Sequence, residues 1–311
     1  MAPWLKTLLI IIIAFPAALL LGLLVFRTVV MYDEKSYDSL RVSNDEERNY
    51  LLHVPAGYAP DRAVPLVISL HGFSDWPAHH SRMTGWSELA DEQGFIVVYP
   101  SGTGYPKRWR MPAFEGYPEG TLKDVQFLSE LIDHLQAEYN LDPARIYVDG
   151  MSNGGGMAFA LGCKLSGRIA AVGGVAGYYV YPLAECQPSR RFPMILYHGT
   201  GDPIVSYTGN TSRRNGFTSP ALPDFVASLS AANGCSPQPV ELPAPDGVTG
   251  RWYQAGADKA DVQFYTIDNG GHTWPGGRPL PRWLTGSTFK DLSATRLTWK
   301  FFQSHPLLPI K

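Results

Sequence analysis

The sequence predicts an α/β protein in which helices cover both faces of a mostly parallel β-sheet. Five short apolar runs carry this prediction, at 65–70, 95–99, 145–148, 194–197 and 262–267. Strands that are buried on both faces of a parallel sheet have such continuous apolar sequences. Between the runs, apolar residues recur at helical spacing, most clearly across 125–135. Strands that alternate with helices through right-handed crossovers form a three-layer sandwich.

The ends of these predicted strands indicate where a functional site lies. The first run ends at His71-Gly72, the second at Pro100 and the third at Asp149-Gly150. The fourth ends at His198-Gly199, and the last ends before 269–271, which is Asn-Gly-Gly. Ligands of open α/β sheets bind outside the carboxyl ends of the strands. The glycine turns at these ends therefore predict a site on that edge.

Composition excludes several classes of protein. With 45% hydrophobic and 17% charged residues, the chain can bury a core, which argues against general disorder. The 26 Lys and Arg residues are balanced by 28 Asp and Glu residues, so the basic excess of a nucleic-acid binder is lacking. Three cysteines exclude a disulfide-dense miniprotein and a Cys-rich zinc framework.

The N-terminus carries a run of twenty residues without charge, Thr7 to Phe26. A helix of this length spans about 30 Å, the thickness of a bilayer core. Signal peptides usually have a shorter apolar run of about 7–15 residues and a small-x-small cleavage site, which the residues after Arg27 do not offer. We therefore expect residues 1–31 to be a transmembrane signal anchor, with a cleaved signal peptide or a buried core helix as alternatives. Residues 32–44 are polar and predict a short stalk, and residues 45–311 the folded domain.

A nucleophile candidate lies in Gly150-Met151-Ser152-Asn153-Gly154, which fits the pattern G-x-S-x-G. The pattern follows a predicted strand and precedes a predicted helix, which is the placement of a nucleophile elbow. Such a turn presents the serine hydroxyl at the positive end of the following helix, where developing negative charge is stabilised. The alternative is a glycine-rich helix start with an idle serine.

A serine nucleophile needs a base and a group that orients the base. On a hydrolase sheet these follow in the order Ser, Asp or Glu, His. Only His272 and His305 lie beyond residue 200, and His272 directly follows the last predicted strand. Asp202 follows the fourth strand, between Ser152 and His272. Other carboxylates also lie in this interval, in predicted loops, a helix or the last strand itself: Asp224, Asp246, Asp258, Asp261 and Asp268.

The remaining candidates have less specific interpretations. We expect His71 and His198 to brace strand ends by hydrogen bonds. The pair at 79–80 has no third ligand at metal-binding spacing, which favours a solvated loop over a metal site. Trp274 either lines an acyl pocket or packs its loop down.

Together these motifs resemble a known family. His71-Gly72-Phe73, the elbow at 150–155 (Gly-Met-Ser-Asn-Gly-Gly), 198–202 (His-Gly-Thr-Gly-Asp) and 270–277 (Gly-Gly-His-Thr-Trp-Pro-Gly-Gly) look like those of secreted polyhydroxybutyrate depolymerases and feruloyl esterases. The resemblance covers roughly residues 45–305 and implies an α/β-hydrolase fold. It also implies a serine carboxylic ester hydrolase with Ser152 as nucleophile, Asp202 as acid and His272 as base, and with no metal or cofactor. The amides of Phe73 and Asn153 would form the oxyanion hole.

The resemblance also bears on which cysteines form disulfides. Relatives often pair a cysteine at the position of Cys235 with a later one, but the segment 254–258 contains none here. A second bridge of the family corresponds to Cys163 and Cys186. Such a bridge suits an oxidising compartment, so we expect the domain to act outside the cytoplasm.

Within the esterase class, the substrate is left open among feruloylated or acetylated polysaccharide, hydroxyalkanoate oligomers and small esters. We expect no separate carbohydrate- or polymer-binding domain in the 280 residues after position 31, which argues against processive work on insoluble polymer. Two other classes compete. A serine peptidase would use the same triad on amides, and a non-catalytic binding module on this fold commonly lacks one of the three residues.

Overall fold

The computed structural model describes residues 14–17, 19–22, 37–110, 118–211 and 218–307. The chain divides into two compact units, Met1–Asp38 and Ser39–Lys311. In the smaller unit, the described residues 14–17 and 19–22 are helical. The larger unit contains the α/β fold.

A ten-stranded sheet organises this fold, in the order β1-β2-β4-β3-β5-β6-β7-β12-β11-β10, and β8 pairs with β9 in a separate ribbon. The strands are β1 (Asp38–Arg41), β2 (Glu47–His53), β3 (Val64–Leu70), β4 (Ile96–Pro100), β5 (Leu141–Gly150), β6 (Ala171–Val175), β7 (Met194–Gly199), β8 (Asn210–Thr211), β9 (Thr218–Ser219), β10 (Val240–Leu242), β11 (Val248–Tyr253) and β12 (Val262–Ile267).

The centre of the sheet is parallel, as the apolar runs predict. Parallel pairs join β4 to β3, β3 to β5, β5 to β6, β6 to β7 and β7 to β12. Antiparallel strands flank this centre, with β2 on β4 at one side and β11 and β10 beyond β12 at the other. The expected mostly parallel sheet of an α/β-hydrolase is thereby confirmed.

Helices cover both faces of the sheet. They are α1 (Pro77–Thr84), α2 (Trp86–Gln93), α3 (Pro118–Glu138), α4 (Asn153–Lys164), α5 (Leu222–Ala232), α6 (Arg282–Thr285) and α7 (Ala294–Ser304). Apolar residues of α3, α4 and α5 pack in one core with Leu66 and Ile68 of β3. Those of α2 and α7 pack in a second core with Val67, whose side chain points to the opposite face. Because alternate residues of one strand feed both cores, the central strands are apolar throughout.

The start of the larger unit differs from the expected stalk. Residues 38–41, inside the segment predicted as a stalk, form β1 and join the sheet beside β2. The sheet therefore begins before residue 45. The predicted anchor, residues 1–31, lies mostly outside the described residues. Within the described residues, no helix combines the length and apolarity needed to cross a membrane.

The predicted disulfide is confirmed. Cys163 on α4 is bonded to Cys186, which follows a 3₁₀ turn at Leu183–Glu185, and their Cα atoms are 5.0 Å apart. The bridge ties the helix that follows the elbow to the segment leading into β7. Cys235 is a free, half-buried thiol whose Sγ donates to the Ala260 carbonyl at 3.5 Å.

Candidate active site

Ser152 occupies a sharp turn between β5 and α4. Its φ is 56° and its ψ is −120°, a backbone conformation that residues other than glycine seldom adopt. Hydrogen bonds hold this conformation on both sides, because Ser152 N–H donates to the Val175 carbonyl at 2.9 Å and its own carbonyl accepts from Tyr178 N–H at 3.0 Å. Strained residues that are held in this way concentrate at functional sites.

Steric contacts explain the glycines around Ser152. A Cβ on Gly154 would lie 2.2 Å from the Leu70 carbonyl oxygen, and one on Gly150 would lie 2.5 Å from the Gly154 carbonyl carbon. The turn therefore requires residues without a Cβ on both sides of the serine, because backbone atoms of neighbouring segments occupy that space. This is the structural requirement behind the G-x-S-x-G pattern.

The structure brings Asp202 and His272 together. His272 Nδ1 lies 2.7 Å from Asp202 Oδ2, and both side chains are buried. The other carboxylate oxygen of Asp202 accepts backbone N–H groups from Ile204 and Val205, each at 2.8 Å. In the tautomer that donates from Nδ1 to this carboxylate oxygen, the neutral imidazole of His272 has Nε2 as its acceptor.

Topology places the third predicted residue at the same edge. Ser152 follows β5, Asp202 follows β7 and His272 follows β12. These strands belong to the parallel set, so their carboxyl ends lie along one edge of the sheet. The loop that bears His272 is held by its backbone N–H, which donates to the Thr285 carbonyl at 2.6 Å at the end of α6.

A second histidine, His198, contacts the same acid. His198 is buried near the end of β7, where its Nε2 lies 2.8 Å from the Val205 carbonyl and 3.4 Å from Asp202 Oδ2. Burial lowers the pKa of His198, which favours the neutral imidazole, and a carbonyl partner requires the hydrogen on Nε2. The expected bracing of a strand end therefore occurs at the turn that holds Asp202. No local sequence pattern identifies this contact with the acid.

The segment after β3 lies against the elbow. A Cβ on Gly72 would be 3.5 Å from Ser152 Cβ, so the backbone at 71–73 passes next to the serine. His71 fixes this segment, because its Nδ1 donates to the Gly72 carbonyl at 2.7 Å and its Nε2 accepts from Gly102 N–H at 2.9 Å. Burial lowers the pKa of His71, so the neutral form needed for these two bonds is favoured. Phe73 follows with its side chain 51% exposed.

Trp274 packs its loop onto the helices. It is 1% exposed, its Nε1 donates to Thr295 Oγ1 at 2.9 Å, and its ring meets His80 edge-on at 5.8 Å between centroids. This geometry favours packing over the substrate contact that was also predicted. The expectation of a solvated loop is wrong for His80, because α1 buries that side chain completely. Within the described ranges, no group of three potential metal ligands occurs.

Exposed apolar side chains lie on the two segments that hold Asp202 and His272. Ile204 is exposed and belongs to the turn whose amides bind Asp202. Trp283, at 86% exposure, and Leu284 are on α6, whose last residue accepts the backbone N–H of His272. We call Ile204, Trp283 and Leu284 the apolar rim.

Comparison with known proteins gives relatives that are named esterases. A bifunctional acetylxylan esterase/xylanase of Neocallimastix patriciarum is 34% identical over 160 residues, which are 51% of this chain and 22% of that protein. Feruloyl esterase B of Piromyces equi is 28% identical over 239 residues, or 74% of this chain and 44% of that protein. The chain thus matches less than half the length of these two relatives. Poly(3-hydroxyalkanoate) depolymerase C of Paucimonas lemoignei is 31% identical over 130 residues, or 40% of this chain and 30% of that protein.

Solved structures share the fold at low identity. A ferulic acid esterase of Anaeromyces mucronatus, solved in complex with ferulic acid, has a TM-score of 0.55 at 14% identity, and the match covers 86% of this chain and 89% of that one. A thermostable esterase has a TM-score of 0.56 at 17% identity, covering 87% and 62%.

A family model extends the resemblance from motifs to continuous sequence. The model described as esterase PHB depolymerase matches residues 48–205, just over half of the 311 residues. This range runs from β2 past the turn that holds Asp202, and it includes the elbow and the segment after β3. On this match, the chain belongs to the esterase PHB depolymerase family.

Proposed function

We propose that the protein is a serine carboxylic ester hydrolase in which Ser152 is the nucleophile, His272 the base and Asp202 the acid that orients the base. The observation that carries this proposal is the buried 2.7 Å contact between His272 Nδ1 and Asp202 Oδ2. It leaves Nε2 of His272 free of a hydrogen, as a general base requires. The strained backbone of Ser152 at the start of α4 supports its role as nucleophile.

In this mechanism His272 Nε2 takes the proton of Ser152 while Oγ attacks the ester carbonyl carbon. The tetrahedral intermediate collapses to an acyl-enzyme, and the imidazolium gives its proton to the leaving alkoxide. Water, deprotonated by His272, then attacks the acyl carbonyl carbon. The second tetrahedral intermediate expels Ser152 Oγ, which takes the proton back from the imidazolium as the acid product is released. The backbone N–H groups of Phe73 and Asn153 would bind the oxyanion in both steps.

The substrates that we propose are acyl esters with an apolar acyl or aryl part. The apolar rim supports this, because Ile204, Trp283 and Leu284 are exposed on the segments that hold the acid and the base. Relatives whose names specify feruloyl, acetylxylan or poly(3-hydroxyalkanoate) esters define the classes to test.

We also propose that the domain acts outside the cytoplasm. The Cys163–Cys186 disulfide supports this location, since disulfides persist in oxidising compartments. For the N-terminal segment, retention as an anchor predicts that the protein stays with membranes after a carbonate wash. Removal as a leader instead predicts a soluble protein that begins near residue 30.

Two measurements test the proposed chemistry. Wild type should be labelled by a fluorophosphonate and should hydrolyse at least one of a panel of feruloyl, acetyl and hydroxybutyrate esters. Ser152→Ala should lose the label, and its kcat should fall by about 10⁶, as when other triad serines are removed. Undiminished labelling of the variant would falsify the assignment. Cleavage of peptide amides in place of esters would favour a peptidase.

A further inference from the structure

Trp109 contacts both backbone segments that bear the proposed oxyanion donors. It is completely buried, and its indole Nε1 donates to the His71 carbonyl at 3.0 Å. Its backbone N–H donates to Asn153 Oδ1 at 2.6 Å, and its carbonyl accepts from Asn153 Nδ2 at 3.0 Å. One residue therefore joins the end of β3, just before Phe73, to the first turn of α4.

The loop that carries Trp109 makes further contacts with the segment after β3, residues 71–74. Gly102 N–H donates to His71 Nε2 at 2.9 Å, and Ser74 N–H donates to the Lys107 carbonyl at 2.8 Å. Residues 102–109 thus contact the chain on both sides of Phe73. A bridge between Thr103 and Arg108 closes the loop on itself.

A buried ion pair anchors the loop from behind. Arg110 N–H, next to Trp109, donates to Asp124 Oδ2 at 2.8 Å, and Asp124 Oδ1 lies 2.9 Å from Arg48 Nη1. Asp124 and Arg48 are both buried. Because separating the pair would leave an uncompensated buried charge, Arg48 holds Asp124 in place as the acceptor of the Arg110 N–H.

Given the proposed ester hydrolase, we propose that Trp109 is a positioning residue that sets the spacing of the two oxyanion-hole amides, those of Phe73 and Asn153. One amide lies in the turn after β3 and the other in the first residue of α4, so no local sequence holds them at a common distance from the oxyanion. The Asn153 side chain is engaged by Trp109, so its contribution to the site would be the backbone N–H. Preorganised donors act on the charge that develops in the transition state, and this effect depends on their placement.

Trp109→Phe is the sharpest variant, because it keeps the aromatic ring and the backbone bonds to Asn153 and removes the bond to the His71 carbonyl. Loss of one oxyanion donor lowers kcat by about 10²–10³. Misplacement should cost less, so we expect kcat to fall by roughly tenfold or more while KM stays within about twofold. The affinity for an aryl trifluoromethyl ketone, whose serine adduct carries an oxyanion, should fall by the same factor as kcat/KM.

Asn153→Ala tests the other half of the link. It removes both side-chain bonds to Trp109 and keeps the backbone N–H at position 153. We expect the same pattern of lowered kcat and lowered inhibitor affinity. The double variant should lose less than the product of the two single effects, because both act on one contact network.

Trp299→Phe is the matched control. Trp299 lies on α7, outside the site, and is also buried. Its indole N–H donates to Gln93 Oε1 of α2 at 3.3 Å. This variant should lose a comparable indole bond without a change in kcat or inhibitor affinity. A purely structural role of Trp109 predicts a lower melting temperature together with wild-type kinetics.

The outcomes separate the two proposals. If Ser152→Ala is inactive and both Trp109→Phe and Asn153→Ala keep kcat and inhibitor affinity within about twofold of wild type, the positioning role is overturned and the hydrolase stands. If Ser152→Ala keeps its activity, the hydrolase proposal itself fails. Should Trp109→Phe lose its fold, Asn153→Ala with the inhibitor series decides alone.

Discussion

Asp149 is a buried carboxyl group on the strand that leads to Ser152, and it makes stability depend on pH. Its Oδ2 accepts the indole N–H of Trp86 at 2.7 Å. Burial raises the pKa of Asp149 from 3.8 to about 7, and hydrogen bonds from Ser69 and Trp86 offset only part of that effect. Between these two pKa values, the folded protein holds a proton that the unfolded chain has released. The free energy of unfolding must therefore fall as pH rises through this window.

The size of the effect follows from the two pKa values. Each unit of difference corresponds to about 1.4 kcal/mol, so ionisation of Asp149 costs the folded state about 4 kcal/mol once the pH exceeds 7. Of this, about 2 kcal/mol develops between pH 5 and pH 7, and about 3 kcal/mol between pH 5 and pH 8. Asp149→Asn keeps the shape of the side chain and an acceptor for Trp86, but it cannot ionise. The free energy of unfolding of the variant, minus that of wild type, should therefore rise by about 3 kcal/mol from pH 5 to pH 8.

Urea denaturation of both proteins at pH 5, 6, 7 and 8 measures this difference. Groups that titrate in both proteins cancel when the free energies of unfolding are subtracted, so the comparison isolates Asp149. A difference that stays constant within about 0.5 kcal/mol across this range would refute the reasoning, because a carboxyl group with so displaced a pKa cannot titrate without changing stability.

Three further variants test other parts of the structure. His198→Ala should lower kcat by roughly tenfold, because it frees the turn that holds the acid. His198→Gln can place an N–H toward the Val205 carbonyl and should keep most of the wild-type kcat. Equal rates in the two variants would contradict this role of His198. Replacing Cys163 and Cys186 by Ala should lower the free energy of unfolding by about 3 kcal/mol for the 23-residue separation, and thiol titration of unreduced, denatured wild type should find one thiol, not three. Trp283→Ala should raise KM for feruloyl esters by roughly tenfold and leave acetyl esters within about twofold, whereas equal effects on both would remove the rim from substrate binding.

The central strands were predictable because burial on both faces leaves a strong local signal. The flanking strands β2 and β11 escaped prediction for the opposite physical reason. In β2, exposed Glu47 and Asn49 alternate with buried Arg48 and Tyr50, so no continuous apolar run exists. The strand β1 lies in a polar segment, and its place at the sheet edge depends on pairing with β2.

At the candidate site, the predictable features are those governed by local sterics. The glycines at 150 and 154 are required by backbone contacts within a few ångströms, so the elbow is marked in the sequence. The environment of Trp274 depends instead on Thr295 and on His80 of α1, which are distant in the chain. Sequence therefore left its two roles open, and only the packed structure favours one.

The residues that support the candidate site share one property, which is that their contacts join distant parts of the chain. Trp109 links positions 71 and 153, and Asp149 of β5 accepts the indole N–H of Trp86 on α2. Motif residues are constrained by the reaction and by local backbone geometry, and these supports are constrained only by what the fold brings near them. Substitutions at these supporting residues should therefore change the rate or the stability by moderate amounts, whereas loss of the proposed nucleophile Ser152 should abolish the reaction. Moderate kinetic effects in the Trp109 and His198 variants, beside a complete loss of activity in Ser152→Ala, are the pattern that this division predicts.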